Sequence, residues 1–342
     1  MEHKVKHFSL HRIGETELRV ISDVEDGVLP VIEVEESVIR NYIKHGLWNH
    51  QWVTLFVLKD LKSLVRHLNG AADALSNQPL VNVYDLADLS GCRIFINWES
   101  MTKGGYQDDL KSMRALLAHE HAHCLSECPA TSASRKLKVE LKTEYMDFVF
   151  DGSQTSGYQQ TLQLRHDNVL NLMAHKLCLY APREILANEI TIRSGFEEAL
   201  IHLNRRNIVN ARASVAGRED IKRHLQQEGA QGNLTRAAVD LLLLIGDLQS
   251  YAELALETAP FYRSGQERSG RRLEEFLEDE VFLHLDPEAP RAYTALVKQY
   301  MALKPNMTQD KLLAWCEGVL DILAKALAAK GLLLHSHLEI AN

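Results

Sequence analysis

The segment Leu116–Leu125, LLAHEHAHCL, sets three histidines and one glutamate within five residues of an otherwise apolar run. His119-Glu120-His121-Ala122-His123 carries the spacing H-E-x-x-H. On a helix, residues i and i+4 project from one face, so His119 and His123 offer two imidazoles to a single cation. Zinc accepts such nitrogens at about 2.0–2.1 Å. Glu120 stands one residue round the helix, beside the cation rather than on it. There it can take a proton from a water whose pKa the cation has lowered to about 7. His121 points to another face and is not counted as a ligand. A rival grouping, His121, Cys124 and Cys128 in the pattern H-x2-C-x3-C, has two thiols one turn apart. No second cysteine pair nearby completes a structural zinc site for it.

A catalytic zinc takes three protein ligands and keeps a fourth position for water. Glu140, Glu144, His166, His175, Glu184, Glu189 and Glu197 are the candidates for the third. Glu184 ranks first, because it opens the segment EILAN in the first turn of a helix that Pro182 can start. Asn188 follows one turn later on the same face, where its amide can hold the second ring nitrogen of a ligating histidine. Ala187 is small enough for two helices to approach closely.

His119-Glu120-x-x-His123 followed by Glu184-x-x-Ala187-Asn188 resembles the gluzincin branch of the zincin metallopeptidases. That branch pairs H-E-x-x-H on one helix with a glutamate ligand on a later helix. The second motif is similar to that of the CaaX-protease and heat-shock-type membrane metallopeptidases, and of the ImmA/IrrE-like regulatory peptidases. The resemblance covers roughly Cys92 to Ile192. It implies that His119, His123 and Glu184 bind zinc, that Glu120 is the general base, and that Asn188 supports the site. Three features depart from it: the membrane family has transmembrane helices, which this chain lacks; the regulatory family usually places its two motifs closer together and often carries a helix-turn-helix domain, which is not identified here; and Asn188 replaces an aspartate common in several branches. Such a site also needs a donor for the developing oxyanion. Tyr158, His166, Tyr180 and His202 are all open for that role.

These residues need elements to position them. The periodicity predicts one helix over DDLKSMRALLAHEHAHCLSE, with Leu110, Met113, Leu116 and Leu117 as its buried stripe and Pro129 as its stop. Further helices are predicted over SRKLKVELKTEYMDFVF, over YQQTLQLRHDNVLNLMAHKLCLY and from Pro182 through PREILANEITI. Earlier in the chain, HFSLHRI and ELRVISDV flank Gly14-Glu15 as a hairpin, and VLPVIEVEESVI reads as an extended piece running into a helix. NHQWVTLFVLKDLKSLVRHLNG has near-helical spacing with a stop at Asn69-Gly70. LVNVYDL and CRIFINW read as strands, the second a candidate sheet edge to which substrate backbone could add. The remainder reads as amphipathic helices broken at EGAQGN, RSGQERSGR and LDPEAP.

The expected architecture is α+β. A mixed α/β portion over residues 1–105 contributes the sheet, a helical zincin-like core spans 106–205, and an all-helical region spans 206–342. A chain of 342 residues with 46% hydrophobic and 25% charged residues fits a soluble globular protein. A net charge of −8 argues against nucleic acid as the main partner. No run of about 18 apolar residues suggests membrane insertion. Five cysteines do not suggest a disulfide framework, so a cytoplasmic setting is expected. The function expected is zinc-dependent hydrolysis of a peptide or protein substrate. The alternative is a non-catalytic interaction protein on the same scaffold, with a partner bound through the C-terminal helices.

Overall fold

A hairpin opens the chain. In the computed structural model, which describes residues 4–62, 78–150 and 156–340, β1 (His7–Ile13) and β2 (Thr16–Ser22) pair antiparallel around Gly14. The chain divides into two compact units. The first comprises residues up to Ser126 together with Ala187–Leu203; the second comprises Glu127–Leu186 and the chain from Asn204 onward. The segment expected to form one zincin-like core, 106–205, is thus shared between them.

In the first unit, α1 (Val28–Lys44) follows the hairpin. The extended start expected for VLPVIEV is helical instead. Val28, Val31, Ile32, Val38, Ile39 and Tyr42 recur at three- and four-residue steps and all are buried, while Pro30 sits in the first turn, where its missing N–H costs no bond. Gly27 precedes the helix at φ 82°, with the Trp98 ring where a Cβ would stand.

Trp52–Leu58 forms β3, not the helix its spacing suggests. It lies between β2 and β5 (Asp88–Asn97) and is parallel to both. A strand covered on both faces is apolar throughout and loses the alternation that would identify it. The rest of that expected helix, from Ser63 through Asn69-Gly70, lies outside the described residues. β4 (Leu80–Asp85) and β5 (Asp88–Asn97) form as expected, but β5 is internal. The sheet order is β1-β2-β3-β5-β4, so β4, antiparallel to β5, is one of its two edges and β1 the other. Leu80, Asn82 and Tyr84 share one face of β4, and Val81 and Val83 pack on the other with Phe95 and Phe56.

After α2 (Trp98–Lys103), α3 (Leu110–Leu125) carries the H-E-x-x-H segment. Its N-terminus is capped by Asp109, whose carboxylate accepts from the Ser112 N–H at 3.1 Å. It ends at Leu125; Pro129 is the first residue of a separate short helix, Pro129–Ser134. Met113, Leu117 and Ala118 of α3 join Val20, Leu55 and Ile94 of the sheet and Val31, Val38 and Ile39 of α1 in one core. The Tyr42 hydroxyl donates to the Ala118 carbonyl at 2.7 Å and ties α1 to α3.

The second unit is mainly helical, with two departures from expectation. Leu137–Tyr145 is a strand, β6, where a helix is predicted, and Leu332–Ile340 is a strand, β7, in the region expected to be all helical. They pair antiparallel, Leu137 opposite Ile340 and Tyr145 opposite Leu332. The other side of β6 is held by the helix Ser156–Ala174: Asn171 bonds both backbone groups of Leu141, and Asp167 accepts from the Thr143 N–H at 2.9 Å. Side chains thereby satisfy a strand edge that would otherwise invite another chain. Around them pack Arg236–Tyr251, Glu288–Met301 and Gln309–Ala328, with Trp315 Nε1 donating to the Gln299 carbonyl at 2.9 Å. Asp247 binds Arg218 through both oxygens and accepts the Asp286 N–H at 2.8 Å. All five thiols are free, and no described helix is long and apolar enough to cross a membrane.

Candidate metal centre

The third and fourth turns of α3 hold the site. His119 and His123 lie on one face, their ring centroids 4.5 Å apart with the planes at 77°. Each offers a ring nitrogen within 4.8 Å of the other's. His119 and Glu120 are half-buried and His123 is buried. An edge-on pair at this separation can point two lone pairs at one point, as a tetrahedral cation requires.

The tautomer of His119 follows from its partner. Its Nδ1 lies 2.8 Å from Asn188 Oδ1, an acceptor, so Nδ1 carries the proton and donates. The lone pair is left on Nε2. Asn188 is buried on the helix Ala181–Thr191, with Ala187 fully buried beside it. Glu184 stands one turn before Asn188 on that helix, so the two side chains share a face. This helix begins in the second unit and ends in the first, with Glu184 in the earlier part.

The remaining third-ligand candidates have other surroundings. Glu140 and Glu144 lie on the exposed face of β6, paired with Lys142 at 3.4 Å and His335 at 3.4 Å. His166 is buried beside the Tyr145 hydroxyl, 2.8 Å away, and burial pushes its pKa down to about 4. His175 is exposed and packs edge-on against Tyr180. Glu189 pairs with Arg193 at 2.5 Å, and Glu197 opens the helix Glu197–Ala230. Of the oxyanion candidates, His202 meets both Asp109 oxygens at 3.0 Å, at the opposite end of α3 and ten residues from His119. That is about 15 Å along the axis, too far for contact with a common substrate atom. The Tyr158 side chain lies outside the described residues.

No family model, curated protein or solved structure matches the chain.

Two residues of β4 that sequence reasoning did not single out touch the site helix. Asn82 Nδ2 donates to the Glu120 carbonyl at 2.6 Å, and the Tyr84 hydroxyl reaches the His123 carbonyl at 3.4 Å. An edge strand is thus pinned alongside the turn that carries Glu120. His121 points away, as expected. Its Nε2 donates to Glu35 Oε1 at 2.7 Å, and both side chains are fully buried. Cys124 is buried on α3, while Cys128 precedes the helix Pro129–Ser134, its N–H donating to Thr131 Oγ1 at 2.9 Å. A broad cleft between α1 and the first half of α3 is lined by Arg40, Lys44, Lys111 and Arg114; it does not include His119.

Proposed function

We propose that the protein is a zinc-dependent peptidase of zincin type, with His119, His123 and Glu184 as ligands and Glu120 as general base. The observation that carries this reading is the His119–Asn188 contact. It fixes the imidazole with its proton on Nδ1 and its lone pair on Nε2, the arrangement a ligating histidine needs. Glu184 is the third donor, carried on the unbroken helix whose Asn188 already holds His119. Two imidazoles and a carboxylate, with a carboxylate base beside them, suit zinc better than a hard oxygen-seeking cation.

When bound, zinc would polarise the scissile carbonyl and acidify a water. The chain's own groups do the rest. Glu120, adjacent to His119 and half-buried, receives the proton of the attacking water and returns it to the leaving amine. Asn82 and Tyr84 hold β4 beside α3, and among the described residues β4 pairs only with β5. Its outer edge can take an extended peptide as a further strand, which presents a backbone carbonyl along the Glu120–His123 turn.

The test is cleavage of a mixed peptide library by purified zinc-loaded protein, followed by mass spectrometry. Wild type should cut internal peptide bonds. Glu120→Gln should retain zinc and lose about 10²- to 10⁴-fold in rate. Equal cleavage by both proteins would remove Glu120 as the base.

A further inference from the structure

A second group of metal-ligating side chains lies wholly within the first unit and uses none of the residues assigned above. His50, Cys92 and His121 each bring one donor atom within 4.8 Å of the others, and all three are buried. They come from different elements: His50 from the loop before β3, Cys92 from β5, and His121 from the face of α3 opposite the proposed catalytic pair. The loop is held firmly. The Thr16 hydroxyl donates to the His50 carbonyl at 2.8 Å, and Trp48 Nε1 donates to the same hydroxyl at 2.7 Å. The Trp48 ring stands edge-on to both imidazoles, 4.8 Å from His50 and 5.0 Å from His121.

Both imidazoles are oriented as ligands are. His50 Nδ1 lies 3.0 Å from the Leu89 carbonyl, which only accepts, so Nδ1 is the protonated nitrogen. Nε2 is left buried with no hydrogen-bond partner. His121 donates Nε2–H to Glu35, which turns its Nδ1 toward Cys92 Sγ at 3.7 Å. Glu35 Oε2 is also buried without a partner. Buried polar atoms are nearly always satisfied, so the orphaned His50 Nε2, on a residue grouped with two other donors, points to a missing group.

Charge points the same way. Glu35 is fully buried on the apolar face of α1. A divalent cation with the Cys92 thiolate and the Glu35 carboxylate sums to zero, which makes burial of all three tolerable. A thiolate with two imidazoles selects zinc over magnesium or calcium.

We propose that His50, Cys92 and His121 form a second zinc site, independent of the proposed peptidase centre, which staples the His50 loop, the sheet and α3 together. Glu35 and the Leu89 carbonyl orient its two imidazoles. Binding forms a zinc–sulfur bond and releases the Cys92 thiol proton to solvent.

Metal-free protein is titrated with cobalt(II), which reports sulfur ligation through a thiolate-to-cobalt charge-transfer absorption. The proposed peptidase ligands include no thiol, so only the second site produces this band. It should appear in wild type and in His123→Ala, disappear in Cys92→Ser, and disappear or require more cobalt in His50→Gln. Circular dichroism identifies any variant that fails to fold. If Cys92→Ser does not fold, His50→Gln carries the test. No band in folded wild type would overturn the proposal and leave the cluster as a buried Glu35–His121 pair. A band that survives in folded Cys92→Ser, or one unchanged in His50→Gln, would overturn it too.

Discussion

His119 donates its Nδ1 proton to Asn188 Oδ1 across 2.8 Å, joining α3 to a helix 69 positions later in the chain. The contact fixes both the rotation and the tautomer of the imidazole. Asn188→Ala should therefore weaken zinc binding about 10- to 100-fold without removing a ligand. Asn188→Asp keeps an acceptor at the same place and adds charge, so its affinity should match or exceed that of wild type. Competition with a chromophoric chelator measures both.

Asp109 caps α3 through Ser112 and meets His202 at 3.0 Å. Burial works against its charge, but the Ser112 hydroxyl and N–H and His202 outweigh that and hold its carboxyl well below the usual range. A carboxyl depressed in the native state adds stability that is present above the unfolded value of about 3.9 and lost as pH falls through the lower native value. Asp109→Ala should cost about 1 kcal/mol in urea unfolding at neutral pH, and the two proteins should converge in strong acid.

His166 is pushed down to about 4 by burial, partly opposed by Asp167. Here the native state resists a proton that the unfolded chain accepts near 6.5. Stability should fall as pH drops from about 6.5 towards 4, with a slope of up to about 1.4 kcal/mol per pH unit from this residue. His166→Gln keeps a polar partner for Tyr145 and removes the titration. Its unfolding midpoint should vary less than that of wild type across this window.

The spacings on which the proposed site rests are local in the sequence, whereas the fold around them is not. The H-E-x-x-H spacing and the Glu184–Asn188 turn are local patterns, and local patterns survive in a one-dimensional reading. Trp52–Leu58 misleads because a strand buried on both faces carries no period of two. Val28–Lys44 misleads in the opposite sense, since its β-branched residues suggest a strand while their three- and four-residue spacing forms a helix face. In Leu137–Tyr145 the helix-forming Lys, Glu and Leu conceal an alternation that places Leu137, Leu141 and Thr143 inward. His50 and Cys92 could not be joined to His121 beforehand, because strand pairing and the packing of α3 on the sheet together bring residues 71 and 29 positions away to its side. One signal was available: Glu35 is a charged residue on the apolar stripe of α1, between Ile32 and Val38.

We propose that His119, His123 and Glu184 together hold zinc. Anomalous diffraction from zinc-loaded crystals, recorded on both sides of the zinc absorption edge, tests it most directly. A peak should lie about 2.0–2.1 Å from a ring nitrogen of His119 and of His123, and about 2.0–2.2 Å from a Glu184 oxygen. Zinc-loaded crystals with no peak at the His119–His123 pair, or with a peak there and Glu184 turned away, would rule out this ligand set.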